Sequence, residues 1–102
     1  EKGLRILAGS ENFKNLVKLR VSGVPVGDSG FQALVRSKTL SKLEELEVMG
    51  STITRESLDS LVSASKLAKL KKLDIRRNKL KEADLIFLAD SPKFQDLETL
   101  RF

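Results

Sequence analysis

The feature that most constrains this chain is an aliphatic pattern that returns every twenty-seven residues. Residues 70–80 read LKKLDIRRNKL, with aliphatic side chains at Leu70, Leu73, Ile75 and Leu80 and an asparagine at Asn78. The same columns hold Leu43, Leu46 and Val48 one period earlier, Leu16, Leu19 and Val21 two periods earlier, and Leu97, Leu100 and Phe102 one period later. Alternating aliphatic residues over a few positions indicate a short, half-buried strand, so the pattern predicts four equivalent strands.

A second set of columns lies between the strands and has helical spacing. Its members are Leu4, Leu7 and Ala8; Phe31, Leu34 and Val35; Leu58, Leu61 and Val62; and Leu85, Leu88 and Ala89. Residues at i, i+3 and i+4 share one face of a helix, so each set predicts the buried stripe of a helix. The chain therefore alternates strand and helix.

The expected bounds follow from turn and capping residues. We predict strands over 18–21, 45–48, 72–75 and 97–102. The first helix should end at Gly9, because glycine favours the left-handed conformation found after helices. We predict that Asp28 and Thr54 are N-caps of helices that end near residues 37 and 65. The last helix should cover 82–90 and stop before Pro92.

One strand and one helix per period predict an α/β solenoid with a parallel sheet. Strands pack about 4.8 Å apart, whereas helices are about 10 Å across. The strand row should therefore curl inward and form a concave face, with the helices on the convex face. The single domain, 1–102, divides into a partial unit 1–15, full units 16–42, 43–69 and 70–96, and a partial unit 97–102. Neither end has a polar capping segment, so we expect a piece of a longer solenoid.

The strand pattern, L-x-x-L-x-L-x-x-N-x-L, is the leucine-rich repeat signature. With a helix in each twenty-seven-residue unit, the chain resembles the ribonuclease-inhibitor-like class of leucine-rich repeat proteins. Gly27, Asp28, Gly30, Ala33 and Leu34 also resemble the G-D-x-G-x-x-A-L helix start of bacterial multidomain repeat proteins. The asparagine column departs from the signature, because it holds Val24 and Ser51 before Asn78. Val24 cannot replace the amide, so the first turn should be less rigid or hydrated.

The resemblance implies a non-enzymatic protein-binding module that uses its concave face. The residues expected there are Lys18, Arg20, Ser22, Glu45, Glu47, Met49, Lys72, Asp74, Arg76, Thr99 and Arg101, with Gly23, Gly50 and Arg77 at the rim. Met49 would supply an adaptable apolar contact. In the alternative interpretation, Lys18, Glu45 and Lys72 form cross-strand pairs that hold the register. The module would then be a scaffold that positions a neighbouring domain.

Two other surfaces are candidates. The basic residues Lys66, Lys69, Lys71, Lys72, Arg76, Arg77, Lys79 and Lys81 could contact an anion or nucleic acid, although no aromatic residue is interleaved for base stacking. Such a run also fits a solvated face. Ile86 and Phe87 make the last helix apolar on all sides. They could pack against a following helix or dock another domain.

The amino-acid composition excludes several kinds of metal site and catalytic site. The 102 residues include no cysteine and no histidine, which excludes thiolate metal sites, disulfides and the usual catalytic triads. Strand alternation separates Glu44 from Glu45 and Glu47, so no catalytic constellation, metal site or cofactor is predicted. The net charge of +5 is compatible with an anionic partner. No apolar run approaches the roughly 20 residues that span a bilayer. The lack of cysteine fits a reducing compartment, and we predict a cytoplasmic protein with an unidentified protein partner.

Overall fold

A computed structural model describes residues 2–63, 66–92 and 97–102 of the chain. Within these residues, four strands alternate with four α-helices and one short 3-10 helix. Their bounds are α1 Lys2–Gly9, the 3-10 helix Glu11–Phe13, β1 Lys18–Ser22, α2 Gly27–Val35, β2 Glu45–Met49, α3 Arg55–Ser63, β3 Lys72–Asp74, α4 Glu82–Ala89 and β4 Thr99–Arg101. The predicted alternation of strand and helix is confirmed.

The strands form one parallel sheet whose order, β1-β2-β3-β4, follows the chain. Leu19 pairs with Leu46, Leu46 with Leu73, and Leu73 with Leu100. Paired residues are twenty-seven positions apart, which equals the sequence period. Residues from the same aliphatic column therefore lie side by side across the sheet. The α/β class and the parallel ladder are therefore confirmed.

The core lies between one face of the sheet and the helices. Leu46 and Leu73 from the strands, and Leu34, Leu61 and Leu88 from the helices, have no exposed surface. All belong to one cluster of buried side chains. Burial of each such side chain contributes roughly 1.5–3 kcal/mol, so the two periodic sets that the sequence displays supply most of the apolar stabilisation.

The turns after β1, β2 and β3 each contain a residue with left-handed backbone at the same column. Gly23, Gly50 and Arg77 occupy the same column and have φ angles of 67°, 59° and 60°. Glycine adopts this conformation without a steric penalty, whereas a residue with a Cβ atom is strained by about 1–2 kcal/mol. The third turn therefore keeps the geometry of the other two at the cost of local strain at Arg77.

Several predicted bounds need correction. The residue before α2 is Val26, not Asp28, and Val26 has no side-chain capping bond. Asp28 lies inside the first turn, where its carboxylate is engaged by the next unit. The strands β3 and β4 are shorter than predicted. Thr54 does cap α3, because its hydroxyl accepts a hydrogen bond of 3.4 Å from the Glu56 N–H. The predicted end of this helix near residue 65 lies outside the described residues.

None of the described helices combines the length and the apolar character needed to cross a bilayer.

Candidate functional site

The candidate site is the sheet face that the helices leave uncovered, which we call the open face. The strand register places its side chains in rows, one residue from each strand. The first row contains Lys18, Glu45, Lys72 and Thr99, and the second contains Arg20, Glu47, Asp74 and Arg101. Ser22, Met49 and Arg76 follow towards the turns. The residues expected on the concave face therefore lie on one side of the sheet, although the side chain of Asp74 is buried there.

Opposite charges alternate along the first row. The Lys18 ammonium lies 3.4 Å from Glu45, and the Lys72 ammonium lies 3.9 Å from the other oxygen of the same carboxylate. Glu45 is thus shared by cations from both neighbouring strands. Pairs of this kind contribute about 0.2–1 kcal/mol each and favour one register, which agrees with the alternative interpretation of these residues as cross-strand pairs.

The second row contains two adjacent carboxylates. Arg20 Nε lies 3.5 Å from Glu47, but the next residue in the row is Asp74 rather than a cation. Two like charges on neighbouring strands repel each other. Arg101 follows Asp74 in the same row, and a second cation, from outside the row, covers the Asp74 carboxylate.

That cation is Arg76, which lies just beyond the end of β3. Arg76 Nε donates to Asp74 Oδ1 at 3.0 Å, and its terminal nitrogen donates to Oδ2 at 2.8 Å. This bidentate contact is the strongest geometry for an arginine–carboxylate pair. The same nitrogen lies 3.9 Å from the Met49 sulfur. The guanidinium is therefore held in place above the sheet.

Asp74 consequently is not the exposed contact residue that the sequence predicts. Only 1% of its side chain is accessible. Burial raises the pKa of Asp74, but hydrogen bonds from Arg76 and the charges of Arg76 and Arg101 outweigh it and lower the pKa below 3.8. The carboxylate thus stays ionised at neutral pH and serves to position Arg76.

The accessible charge of the open face differs from its formal charge. The side chains of Lys18, Arg20 and Arg76 are 66%, 74% and 44% exposed, whereas those of Glu45 and Glu47 are 29% and 21% exposed. Arg101 is exposed as well. Lys72 is the exception, because its side chain is 29% exposed, as is that of Glu45. Most of the accessible charge of the open face is therefore positive.

The basic run from Lys66 to Lys81 does not form one surface. Lys72 and Arg76 belong to the open face, whereas Lys71 lies before β3, within 4.0 Å of Glu44. Lys79 and Lys81 are exposed in the turn that leads to α4. Because several carboxylates interrupt the run in space, it does not present the continuous positive track that a nucleic-acid backbone needs.

The apolar pair on α4 is only partly accessible. Ile86 is 54% exposed, so this helix is not buried on every side. Phe87 lies under the guanidinium of Arg55, whose central carbon is 3.8 Å from the ring centroid. Arg55 also lies 3.5 Å from Asp84. The α3 helix therefore covers the aromatic ring that the sequence offers as a docking contact.

The role of Asp28 was missed in the sequence. Its Oδ1 accepts hydrogen bonds from the Thr54 N–H at 2.9 Å and the Ser57 hydroxyl at 2.5 Å, and its Oδ2 accepts one from the Thr54 hydroxyl at 2.6 Å. Burial raises the pKa of Asp28, but these hydrogen bonds lower it by a larger amount, so the pKa lies below 3.8. The available signal was the pair of hydroxyl residues twenty-six and twenty-nine positions later.

Among the described residues, no group of three or more Asp, Glu, Cys or His side chains could hold a metal ion. No family model matches the chain. The search of curated proteins likewise found no match.

Proposed function

We propose that this chain is a non-enzymatic protein-binding segment of a leucine-rich repeat solenoid of the ribonuclease-inhibitor-like class, acting through the open face. The support is the twenty-seven-residue register, which aligns four strands as rungs of one sheet. A parallel sheet with helices on one face leaves the other face free for a partner, as in solenoid proteins generally.

The observation that carries the proposal is the difference in exposure between the cations and the carboxylates of the open face. The side chains of Lys18, Arg20 and Arg76 are more exposed than those of Glu45, Glu47 and Asp74. The partner best suited to this surface is an acidic stretch of polypeptide. Arg76 is fixed by Asp74, so less side-chain entropy is lost when it contacts a partner.

A direct test measures binding of a short fluorescent glutamate- and aspartate-rich peptide to the 102-residue protein by anisotropy. The double variant Arg20→Glu, Arg101→Glu reverses two exposed charges on the open face. The matched control, Lys79→Glu with Lys81→Glu, makes the same change in net charge outside it. We expect the first variant to lose about tenfold in affinity and the control to lose less than about threefold, since local charges act within a Debye length.

Two outcomes would contradict the proposal. Equal losses in both variants would mean that only net charge attracts the peptide. Unchanged affinity in the open-face variant would favour the alternative role, in which the solenoid only positions a neighbouring domain. A parallel titration with single-stranded DNA, repeated on Lys69→Gln, Lys71→Gln, Lys72→Gln, tests the nucleic-acid alternative through its steep salt dependence.

A further inference from the structure

A second surface lies away from the open face, at the ends of the strands where the chain enters the sheet. It is a cleft of about 350 Å³, which we call the amino-end cleft. The loops before β1 and β2 line it with Glu11, Lys14, Asn15, Lys38, Thr39, Ser41 and Lys42. Three ammonium groups thus share one small cleft with two hydroxyls and one carboxylate.

The lysines of the amino-end cleft lack carboxylate partners. No ion pair among the described residues includes Lys14, Lys38 or Lys42 within 4.0 Å. Lys42 instead donates to the neutral Asn15 Oδ1 at 2.7 Å. Glu11 is the single carboxylate that lines this cleft, and it forms no ion pair within 4.0 Å with these lysines.

The loops of this cleft are anchored. Leu40 and Leu43, on either side of Ser41 and Lys42, have no exposed surface. The Ser37 hydroxyl donates to the Ala8 carbonyl and accepts a bond of 3.2 Å from the Leu40 N–H. These contacts tie the loop that carries Lys38 and Lys42 to the core and to α1, so a ligand need not order this part of the backbone.

A second cleft of similar size lies at partly different columns of the repeat and has different chemistry. It has a volume of about 390 Å³ and is lined by Glu44, Ala68, Lys69, Leu70, Lys71 and Glu98. Two carboxylates there face two lysines, and Lys71 lies 4.0 Å from Glu44. Its similar size and balanced charge make this second cleft a useful control. Two lysines and two carboxylates line it, against three lysines and one carboxylate in the amino-end cleft.

We propose that the amino-end cleft binds the phosphate group of a small phosphorylated molecule. Lysine is a common point-charge ligand of phosphate, and the Thr39 and Ser41 hydroxyls add donors for its oxygens. The volume suits a small molecule. The open face lies on a different surface, so this site does not depend on the function proposed above.

The test is a ¹⁵N–¹H NMR titration of the 102-residue protein with inorganic phosphate and, separately, pyrophosphate, at constant ionic strength. We expect amide shifts confined to residues 11–15 and 38–42, with a Kd of about 1–10 mM for phosphate and a lower one for pyrophosphate. Lys14→Gln with Lys38→Gln should raise the Kd at least about fivefold, and Lys69→Gln with Lys71→Gln should leave it within about twofold.

Three results would overturn the proposal: no localised shifts up to about 50 mM phosphate, equal weakening in both double variants, or equal shifts with acetate. The last result would mean that any carboxylate satisfies the lysines. Far-ultraviolet circular dichroism of both variants checks that these exposed substitutions leave the fold intact.

Discussion

The two boundaries between consecutive strand–helix units are joined by different polar residues. Between the second and third units, the Asn78 amide donates to the Val48 and Ile75 carbonyls and accepts from the Ser51 and Ile53 N–H groups. Between the first and second units, Ser51 occupies the asparagine column, and its hydroxyl turns back to the Met49 carbonyl at 3.0 Å.

The first boundary is instead joined at the helix starts. There the Asp28 carboxylate receives bonds from Thr54 and Ser57. Ion pairs cross both boundaries, but the residue that satisfies several groups of the neighbouring unit is a neutral amide at one boundary and a titrating carboxylate at the other. The comparison teaches that each boundary has a polar side chain that joins the two units. This side chain belongs to the turn at one boundary and to the start of the helix at the other.

The largest expected effect comes from the apolar core that both boundaries share. Leu73→Ala removes a side chain with no exposed surface that pairs across the sheet with Leu46. We expect the free energy of unfolding, measured by urea denaturation, to fall by about 2–5 kcal/mol because a cavity remains. The control Val17→Ala, at a 40% exposed position, should change it by less than about 0.5 kcal/mol. Similar losses in both variants would contradict the assigned core.

Asn78→Ala tests the second boundary. The change leaves several backbone N–H and C=O groups around residues 48–53 without hydrogen-bond partners. Each buried unpaired group lowers the free energy of unfolding by about 1–3 kcal/mol. We expect a total loss of about 2–4 kcal/mol in urea denaturation, because water can reach part of this half-buried turn. The loss should be the same at pH 7 and pH 3, since an amide does not titrate. A pH-dependent loss would argue that another group bridges the boundary.

Asp28→Ala tests the first boundary. Hydrogen bonds to a charged group are stronger than neutral ones, so we expect the free energy of unfolding at pH 7 to fall by about 1.5–3 kcal/mol. The pKa of Asp28 is lowered on folding. Its contribution is therefore complete above pH 3.8, the ordinary pKa of an aspartate in the unfolded chain, and is lost as pH falls through the folded-state pKa.

The difference between wild type and Asp28→Ala should accordingly shrink in acid. Urea denaturation at a series of pH values from 7 to 2 would show it. The Asn78→Ala variant serves as the control whose difference stays constant. A constant difference for Asp28→Ala would contradict the bridging role of its ionised carboxylate.

The smallest expected effect sharpens the comparison of the turns. Arg77→Gly places glycine at a φ of 60°, as at Gly23 and Gly50. The change relieves left-handed strain, but glycine also has greater conformational freedom in the unfolded chain, which offsets part of the gain. We expect the free energy of unfolding to rise by about 0.5–1 kcal/mol. The reverse change, Gly50→Ala, should lower it by a similar amount. A loss of stability on Arg77→Gly would mean that the arginine side chain stabilises the turn.

The sequence predicted the features that depend on period. The strand register, the helix stripes and the alternating pairs of Lys18, Glu45 and Lys72 all follow from columns twenty-seven residues apart. Features that depend on where one side chain reaches were not predicted. Asp74 belongs to the open face by alternation, yet Arg76 covers it, because a residue beyond the strand end can fold back over its neighbour. Asp28 resembled a helix cap because capping residues and bridging residues are chemically alike.

The linear order of the sheet also affects how the protein behaves at high concentration. Among the described residues, β1 and β4 each have a single neighbouring strand, so in the 102-residue protein used for the measurements above each has an edge to which a foreign strand can add. Lys18 and Arg20 stand along one edge and Arg101 along the other. Two copies meeting edge to edge would bring like charges together, which opposes sideways aggregation. The Debye length shortens from about 8 Å at 0.15 M salt to about 3 Å at 1 M, so concentrated salt weakens this protection.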